Sequence, residues 1–225
     1  MIAAVQFWQH WQEMLSTTRQ HLLLSLTAMV IACVLSVPLG ILLARTRLRW
    51  LSSVVIGVIN VIQPIPSLAL VALVGVLFML VKQRYGIGPS TIGIVPGLVA
   101  LTAYCLLPIL RNTYTGIRQV DPTVIEVARG MGMRSRQILF QVELPLALPF
   151  IMTGIRIATV WAIGVATLVS MIGAGGLGDL IFKGLRTQRM DFILAGIIPA
   201  IGLALGFDWC LGALEKWLTP AGARE

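Results

Sequence analysis

The strongest constraint in this sequence is the recurrence of long apolar runs that contain no charged residue. The run from Leu22 to Ala44 has 23 residues without Asp, Glu, Lys or Arg. A helix needs about 20 apolar residues to cross the hydrocarbon core of a bilayer. The chain is 57% hydrophobic and only 12% charged, whereas a soluble domain is about 25% charged. These runs therefore predict an integral membrane protein.

The apolar runs predict an all-α, polytopic membrane protein with five transmembrane helices. The second run, from Trp50 to Val81, has 32 charge-free residues, and two crossings with a turn would need about 40. We therefore expect one span there, irregular around Gln63–Pro66. The five spans are expected at about 22–44, 51–81, 91–110, 146–170 and 192–211, within a transmembrane domain of residues 22–211.

Basic residues are distributed unevenly between the loops, and this asymmetry predicts an orientation. If the 45–49 turn and the 111–145 loop are cytoplasmic, ten Lys and Arg lie inside and six outside, with Arg156 in the membrane. Cytoplasmic loops of membrane proteins are enriched in these residues. We therefore expect the N-terminus outside and the C-terminus, with a tail at 212–225, in the cytoplasm. Because orientation in the membrane accounts for the basic residues, we expect no nucleic-acid partner.

Residues 1–21 form the first polar segment. Phe7, Trp8, Trp11 and Leu15 fall on one helical face, which is typical of a helix lying in the outer membrane interface. A loosely ordered tail is the alternative. We expect no removable signal peptide, because a basic region followed by an apolar core and a small-residue cleavage site is missing.

The longest polar interruption, Asp121 to Pro145, predicts two short helices joined by a tight turn. Asp121 can cap the first helix, and Pro122 suits its first turn. Gly130 and Gly132 end that helix, and Ser135 offers a second cap.

Polar groups inside the apolar runs predict a pathway or gate. Asn60, Gln63, Pro64 and Pro66 interrupt the second run, and such breaks are tolerated where protein or a water-filled cavity satisfies the backbone. A packed kink is the alternative. Arg156 lies near mid-membrane, where ionisable groups usually face a cavity or partner. The alternative to a pathway role for Arg156 is a structural hydrogen bond to helix ends, Asn60 or Gln63. Asp208 is expected at the inner interface.

The run Gly173-Ala174-Gly175-Gly176-Leu177-Gly178 matches the G-x-G-x-x-G dinucleotide fingerprint. That fingerprint requires a preceding buried strand in a soluble unit, and here a membrane span precedes it. We interpret Gly173, Gly175, Gly176 and Gly178 as a hinge where backbones approach closely at the outer mouth.

Catalytic, nucleotide-binding and metal-binding patterns are missing from the sequence. It contains no G-x-x-x-x-G-K-[ST], no HExxH and no Ser/His/Asp arrangement, and its three cysteines lie far apart. His10 and His21 are expected near the outer interface, too isolated for a metal. The sequence predicts no enzyme activity, metal or cofactor in this chain.

Glu126-Val127-Ala128, then Gly132, then Val142-Glu143-Leu144-Pro145, resembles the EAA loop of ABC importer permeases. That pattern is E-A-A-x3-G-x9-I-x-L-P, and the chain departs from it only in having valine in place of the second alanine and of the isoleucine. The resemblance implies that 111–145 is a cytoplasmic coupling-helix hairpin docking on a separate ATPase, which binds the ATP. The implied coupling residues are Glu126, Ala128, Gly130, Gly132, Leu144 and Pro145.

The segments 60–69, 144–168 and 172–185 look like the glycine betaine, choline and carnitine branch of those permeases, a resemblance that extends over about residues 20–210. It implies a bacterial inner-membrane permease importing a quaternary-amine osmoprotectant. The implied partners are an ATPase dimer, a second permease subunit and a periplasmic or lipoprotein substrate-binding protein. The alternatives are a methionine or other amino-acid importer permease and, from a different class, a membrane enzyme or scaffold.

Overall fold

The computed structural model describes residues 11–86 and 90–219, and within them the fold is all-α. In chain order the helices are α1 (Trp11–Arg45), α2 (Arg49–Ile62), α3 (Ser67–Tyr85), α4 (Ile94–Arg118), α5 (Pro122–Gly130), α6 (Ser135–Ile138), α7 (Leu144–Val169), α8 (Leu177–Thr187) and α9 (Met190–Leu218). A π-helical turn, Leu139–Glu143, joins α6 to α7, and a 3₁₀ turn, Ser170–Ile172, follows α7.

Five helical segments are long and apolar enough to cross a membrane: α1, α3, α4, the continuous helix Ser135–Ile172 that contains α7, and α9. This confirms the predicted all-α fold with five transmembrane helices. The bundle has two distinct ends. The end that carries α5 and α6 is called the hairpin end, and the end that carries Gly173–Gly176 is called the glycine end.

The core of the bundle lies between α1, α4 and α7, with α3 packed on its side. Small side chains let these helices approach closely, as in other membrane bundles. The fully buried small residues of the cluster are Ala28, Ala32, Ala100, Cys105, Ala158, Ala162 and Ala166. Gly154 of α7 illustrates the closeness, because a Cβ there would lie 2.8 Å from the Asn112 Cβ of α4.

The second apolar run is divided into two helices, which corrects the single span expected over 51–81. Pro64 and Pro66 remove backbone donors between α2 and α3, so one continuous helix cannot form there. Its 14 residues make α2 only ~21 Å long. Only α3 is long enough to cross a core of about 30 Å, so the crossing begins at Ser67.

The N-terminal segment also differs from the expected separate interfacial helix. Trp11 to His21 continue α1 without a break, since no proline or glycine interrupts them. Met14 is buried in a cluster with Leu177 and Phe192, which holds this turn of α1 against α8 and α9. Phe7, Trp8 and His10 lie outside the described residues.

Two other segment boundaries differ from those expected from the sequence. α4 continues to Arg118, so the loop expected from residue 111 is helical at its start. α9 continues to Leu218, so residues 212–218 of the expected tail extend the last crossing helix rather than forming a separate segment.

Candidate functional site: the hairpin and the charged cluster

The hairpin begins with the cap that the sequence predicts. The backbone N–H of Thr123 donates to Oδ1 of Asp121 at 2.8 Å, and Pro122 opens α5. This hydrogen bond favours the ionised carboxylate and holds the pKa of Asp121 below its usual value. The start of α5 is therefore fixed locally.

The turn after α5 depends on Gly132. The backbone N–H of Met133 donates to the Ala128 carbonyl at 3.2 Å, and that of Gly132 donates to the Arg129 carbonyl at 2.9 Å. This pair of bonds is the Schellman motif, in which the residue after the C-cap is left-handed. Gly132 has a φ of +80°, which favours glycine. Gly130 is still helical, so only Gly132 makes the turn.

The second limb of the hairpin is part of a crossing helix. Ser135 to Ile172 run as one helix of 38 residues, so α6, the π-helical turn and α7 are continuous. The N–H of Leu144 bonds to the Leu139 carbonyl, five residues earlier. The wider turn occurs just before Pro145, which has no N–H to bond within the helix. A displacement of α6 is therefore carried directly into the membrane helix.

Arg45, the last residue of α1, ties α1 to this second limb. Its Nη2 donates to the Ser135 carbonyl at 3.0 Å and to the Ser135 Oγ at 2.7 Å. Its Nε lies 3.3 Å from Oε2 of Glu143, whose side chain is only 7% exposed. Ser135 therefore binds Arg45 rather than capping α6. The capping role goes to Gln137, whose Oε1 accepts from the Arg134 N–H at 2.7 Å.

The outer surface of the hairpin combines one acidic and several apolar side chains. Glu126 is exposed, and no hydrogen bond or ion pair engages it within residues 11–86 and 90–219. The exposed apolar neighbours are Val124, Val127, Met131 and Phe140. Ala128 is buried, so its small side chain faces the inside of the hairpin. Leu144 packs against Ala147 and Ile151, and Pro145 is half-buried at the start of α7.

Arg156 lies in a charged cluster that sequence reasoning missed. Its Nε and Nη2 donate to the two carboxylate oxygens of Asp208 at 3.0 and 3.2 Å, and its Nη1 donates to Glu215 at 3.0 Å. The cluster therefore joins α7 to α9. The expectation that Arg156 would bond to Asn60, Gln63 or helix ends was wrong. Asp208, expected as a separate interfacial group, is one of its partners. An acidic residue inside the apolar run of α9 was the available signal.

The break between α2 and α3 is held by another polar contact. Nη1 of Arg111 on α4 donates to Oε1 of Gln63 at 3.1 Å. Arg111 lies seven residues before Arg118, so the break sits ~10 Å from the hairpin end of α4. Asn60, Pro64 and Pro66 are exposed beside it.

The glycine run forms a packed connection between α7 and α8. Gly173, Gly175 and Gly176 all have positive φ, and a Cβ on Gly176 would lie 3.0 Å from Nδ1 of His21. A Cβ on Gly178, in the first turn of α8, would overlap the Ser170 Oγ. A helix precedes the run, unlike the strand that a dinucleotide site requires.

His21 lies beneath this connection and is fully buried. Its Nε2 lies 3.1 Å from the Ile163 carbonyl of α7, a hydrogen-bond distance. Within the described part of the chain, no group of three or more His, Cys, Asp or Glu is placed to hold a metal ion.

Residues 36–220, most of the chain, match the family described as the binding-protein-dependent transport system inner membrane component. The chain belongs to this family. It is thus a multi-pass subunit of an inner-membrane transport system and not an enzyme.

Several curated proteins are similar to this permease over nearly their whole length. It is 46% identical to the "Carnitine transport permease protein OpuCB" of Listeria monocytogenes, over 100% of this chain and 97% of that protein. It is 44% identical to the "Choline transport system permease protein OpuBB" of Bacillus subtilis, over 98% of this chain and 96% of that protein.

Solved structures share the fold of the permease. A structure of the "MetNI methionine ABC transporter" in an inward-facing conformation has a TM-score of 0.81 and 20% identity, covering 94% of this chain and 99% of that one. A structure described as "an amino acid ABC transporter with histidines" has a TM-score of 0.74 and 21% identity, covering 94% and 97%. At this level of identity the likeness concerns the fold alone.

Proposed function

We propose that this chain forms the translocation pathway of an ABC importer for a quaternary-amine osmoprotectant, such as glycine betaine, choline or carnitine. The names of the similar curated permeases support this substrate class, since those proteins match over nearly the full chain at 46% and 44% identity. Energy comes from a separate cytoplasmic ATPase dimer, which binds the ATP, and no cofactor is held by the permease itself.

The continuous helix Ser135–Ile172 is the observation that carries the energy-coupling part of this proposal. The hairpin docks in a groove of the ATPase, and closure of the ATPase dimer moves α5 and α6. Because α6 continues into α7, the movement reaches the bundle without a flexible joint. The Arg45 contacts pass the same movement to α1.

Glu126 and its exposed apolar neighbours form the docking surface. Interfaces between proteins combine an apolar centre with charged groups that fix register and orientation. Val127 is 59% exposed and Met131 is 71% exposed, an arrangement that favours burial in a partner. Glu126 pairs with a basic group of the ATPase.

The pathway is completed by a second permease subunit, identical or homologous. A periplasmic or lipoprotein binding protein delivers the substrate to the glycine end, which faces outward with the N-terminus. The break at Asn60–Pro66, Arg156 and the glycine connection border this pathway. The hairpin end and the C-terminus face the cytoplasm, consistent with the basic residues of the hairpin.

Substrate class is tested with the cognate binding protein and with cells that lack other osmoprotectant importers. Binding and uptake of radiolabelled glycine betaine, choline, carnitine and methionine are measured in parallel. We expect saturable binding and uptake of at least one quaternary amine. Binding of methionine alone would contradict the quaternary-amine class and favour the alternative of an amino-acid importer. The solved methionine transporter structure shares the fold of this chain.

Orientation is tested by labelling single cysteines with a membrane-impermeant maleimide in intact cells. Cys33, Cys105 and Cys210 are first replaced by alanine. We expect a cysteine at Lys183 to be labelled from outside and one at Arg134 to be labelled only after the cells are opened. Labelling at Arg134 in intact cells would reverse the proposed orientation.

A further inference from the structure

The charged cluster of Arg156 borders two adjoining cavities between α7 and α9. The smaller has a volume of about 430 Å³ and is lined by Arg156 and Trp161 of α7 and by Leu205 and Asp208 of α9. The larger, about 850 Å³, is lined by Glu215 and by the same arginine and aspartate. Sites for small molecules typically have volumes of about 300–1,000 Å³. Both cavities are therefore large enough for a small organic ligand.

The inner part of α9 stands away from the bundle, which opens these cavities. The fully buried residues of α9 lie near its start, between Asp191 and Gly196. Farther along, Leu205 is 67% exposed and Trp209 is 76% exposed in the single chain. The Arg156 ion pairs with Asp208 and Glu215 bridge the gap at this level.

The charge and partial exposure of this cluster disfavour lipid as its neighbour. The side chains of Arg156 and Asp208 are 34% and 42% exposed. Arg156 lies 12 residues after Leu144 and 13 before Val169, so it is ~18–20 Å from either end of α7. Charged groups at that depth are costly in lipid and face a water-filled space or a partner. The α7–α9 cavities therefore face the interior of the assembled transporter.

The chemistry of the smaller cavity matches a quaternary ammonium ion. Trp161 lies against Tyr104, with ring centroids 5.3 Å apart at an interplanar angle of 43°, so its position in the wall is supported by packing. Quaternary ammonium groups bind to the faces of aromatic rings, and tryptophan is the strongest of these. Asp208 supplies a carboxylate in the same cavity wall. Arg156 would donate its remaining N–H groups to the carboxylate of a zwitterionic ligand.

The net charge of the cluster also favours a cation. Arg156 is shared between Asp208 and Glu215, so these three residues together carry one excess negative charge. Glu215 and Lys216 both line the larger cavity and not the smaller one, whose charged wall residues are Arg156 and Asp208. Because Glu215 also pairs with Arg156, the charge of Asp208 is only partly compensated, and a trimethylammonium group in the smaller cavity would lie near both Trp161 and this carboxylate.

We propose that the smaller α7–α9 cavity is a transit site that binds the trimethylammonium group of the substrate against Trp161 and Asp208, with Arg156 fixing its polar end. This inference rests on the proposed substrate class and deepens it. The site binds weakly, because its charges are already paired with one another and a single aromatic face replaces a full aromatic cage.

The site is tested with the permease and its ATPase in lipid nanodiscs, without the binding protein. Equilibrium binding of radiolabelled choline and glycine betaine is measured for the wild type, Trp161→Leu and Trp161→Phe. The matched control is Trp217→Leu, since Trp217 is 79% exposed and lines neither cavity. We expect Trp161→Leu to weaken choline binding about tenfold, Trp161→Phe to weaken it less, and the control to leave it unchanged.

Asp208→Asn provides a readout that a purely structural role would not change. We expect it to weaken binding of cationic choline more than binding of zwitterionic glycine betaine, and so to shift the ratio of the two affinities. The site would be overturned if Asp208→Asn weakened binding of both ligands equally and Trp161→Leu left binding unchanged. The cluster would then serve only to hold α7 and α9 together.

Uptake by the complete transporter, with binding protein, separates failure of the site from failure of the function. If the wild type takes up quaternary amines but the nanodisc complex shows no saturable binding, the cavity does not bind the substrate and the site is wrong. If no quaternary amine is taken up at all, the proposed substrate class fails, and the site fails with it.

Discussion

Gly130 and Gly132 lie two residues apart in the hairpin, yet a methyl group should affect them differently. At both positions the space that a Cβ would take has no heavy atom within 4 Å, so steric contact does not distinguish them. Gly132 has a φ of +80°, whereas Gly130 is helical. We expect Gly132→Ala to destabilise the hairpin by about 1–2 kcal/mol, and Gly130→Ala to be neutral or slightly stabilising.

The measurement for this pair is copurification of the ATPase with each variant from membranes containing equal amounts of permease. Loss in Gly132→Ala but not in Gly130→Ala would link the left-handed turn to docking. Equal copurification of both variants with the wild type would show that docking does not depend on this turn.

Arg45 is expected to be essential because it compensates a buried carboxylate. Oε2 of Glu143 accepts no hydrogen bond within the described residues, so the charge of Arg45 at 3.3 Å is its main compensation. Arg45→Gln should lower stability by about 1–3 kcal/mol, and the double variant Arg45→Gln/Glu143→Gln should recover part of it. Thermal unfolding in detergent, with Arg47→Gln as an exposed control, measures both effects. No recovery in the double variant would contradict the pairing.

Local features of the hairpin could be predicted from the sequence, whereas its long-range contacts could not. Asp121 and Gly132 act through backbone groups a few residues away, so their residue types and spacing indicated their places. Arg45 and Ser135 are 90 positions apart, and Arg156 and Asp208 are 52 apart. Those pairs depend on which helices pack against each other, and a local sequence pattern does not contain that information.

At the scale of the element, α7 is stabilised by close packing on α4. A Cβ on Gly154 would lie 2.8 Å from the Asn112 Cβ and 3.0 Å from the Pro108 carbonyl oxygen. Gly164, on the same helix, has no heavy atom within 4 Å of such a position. We expect Gly154→Ala to cost about 1–3 kcal/mol and Gly164→Ala to have little effect. Fluorescence-detected thermal stability compares them, and equal melting temperatures would contradict the tight α4–α7 contact.

The number of crossings was predictable because charge-free runs of sufficient length are a direct requirement of the bilayer. The exact helices were not. The prolines near Gln63 indicated a break, but the run alone did not show that α3 makes the crossing without α2. Likewise, Trp11–His21 were expected to lie in the interface, and only packing of Met14 against α8 and α9 shows that they extend α1.

At the scale of the whole molecule, the hairpin is connected to the bundle at two places. α6 continues directly into α7, and Arg45 joins the same limb to α1. At mid-helix, Arg156 joins α7 to α9. A movement imposed on the hairpin therefore reaches three of the five crossing helices through named contacts, which is the physical basis of the coupling that we propose between an external ATPase and the pathway.

The most direct test of this account is simultaneous measurement of ATP hydrolysis and substrate uptake in proteoliposomes containing the permease, its ATPase and the binding protein. We expect the wild type to take up a labelled quaternary amine only when ATP is supplied on the ATPase side. Glu126→Lys, which reverses the charge of the docking surface, should abolish both uptake and substrate-stimulated hydrolysis while the permease remains in the membrane. Unchanged uptake and hydrolysis in Glu126→Lys would contradict the coupling role of the hairpin.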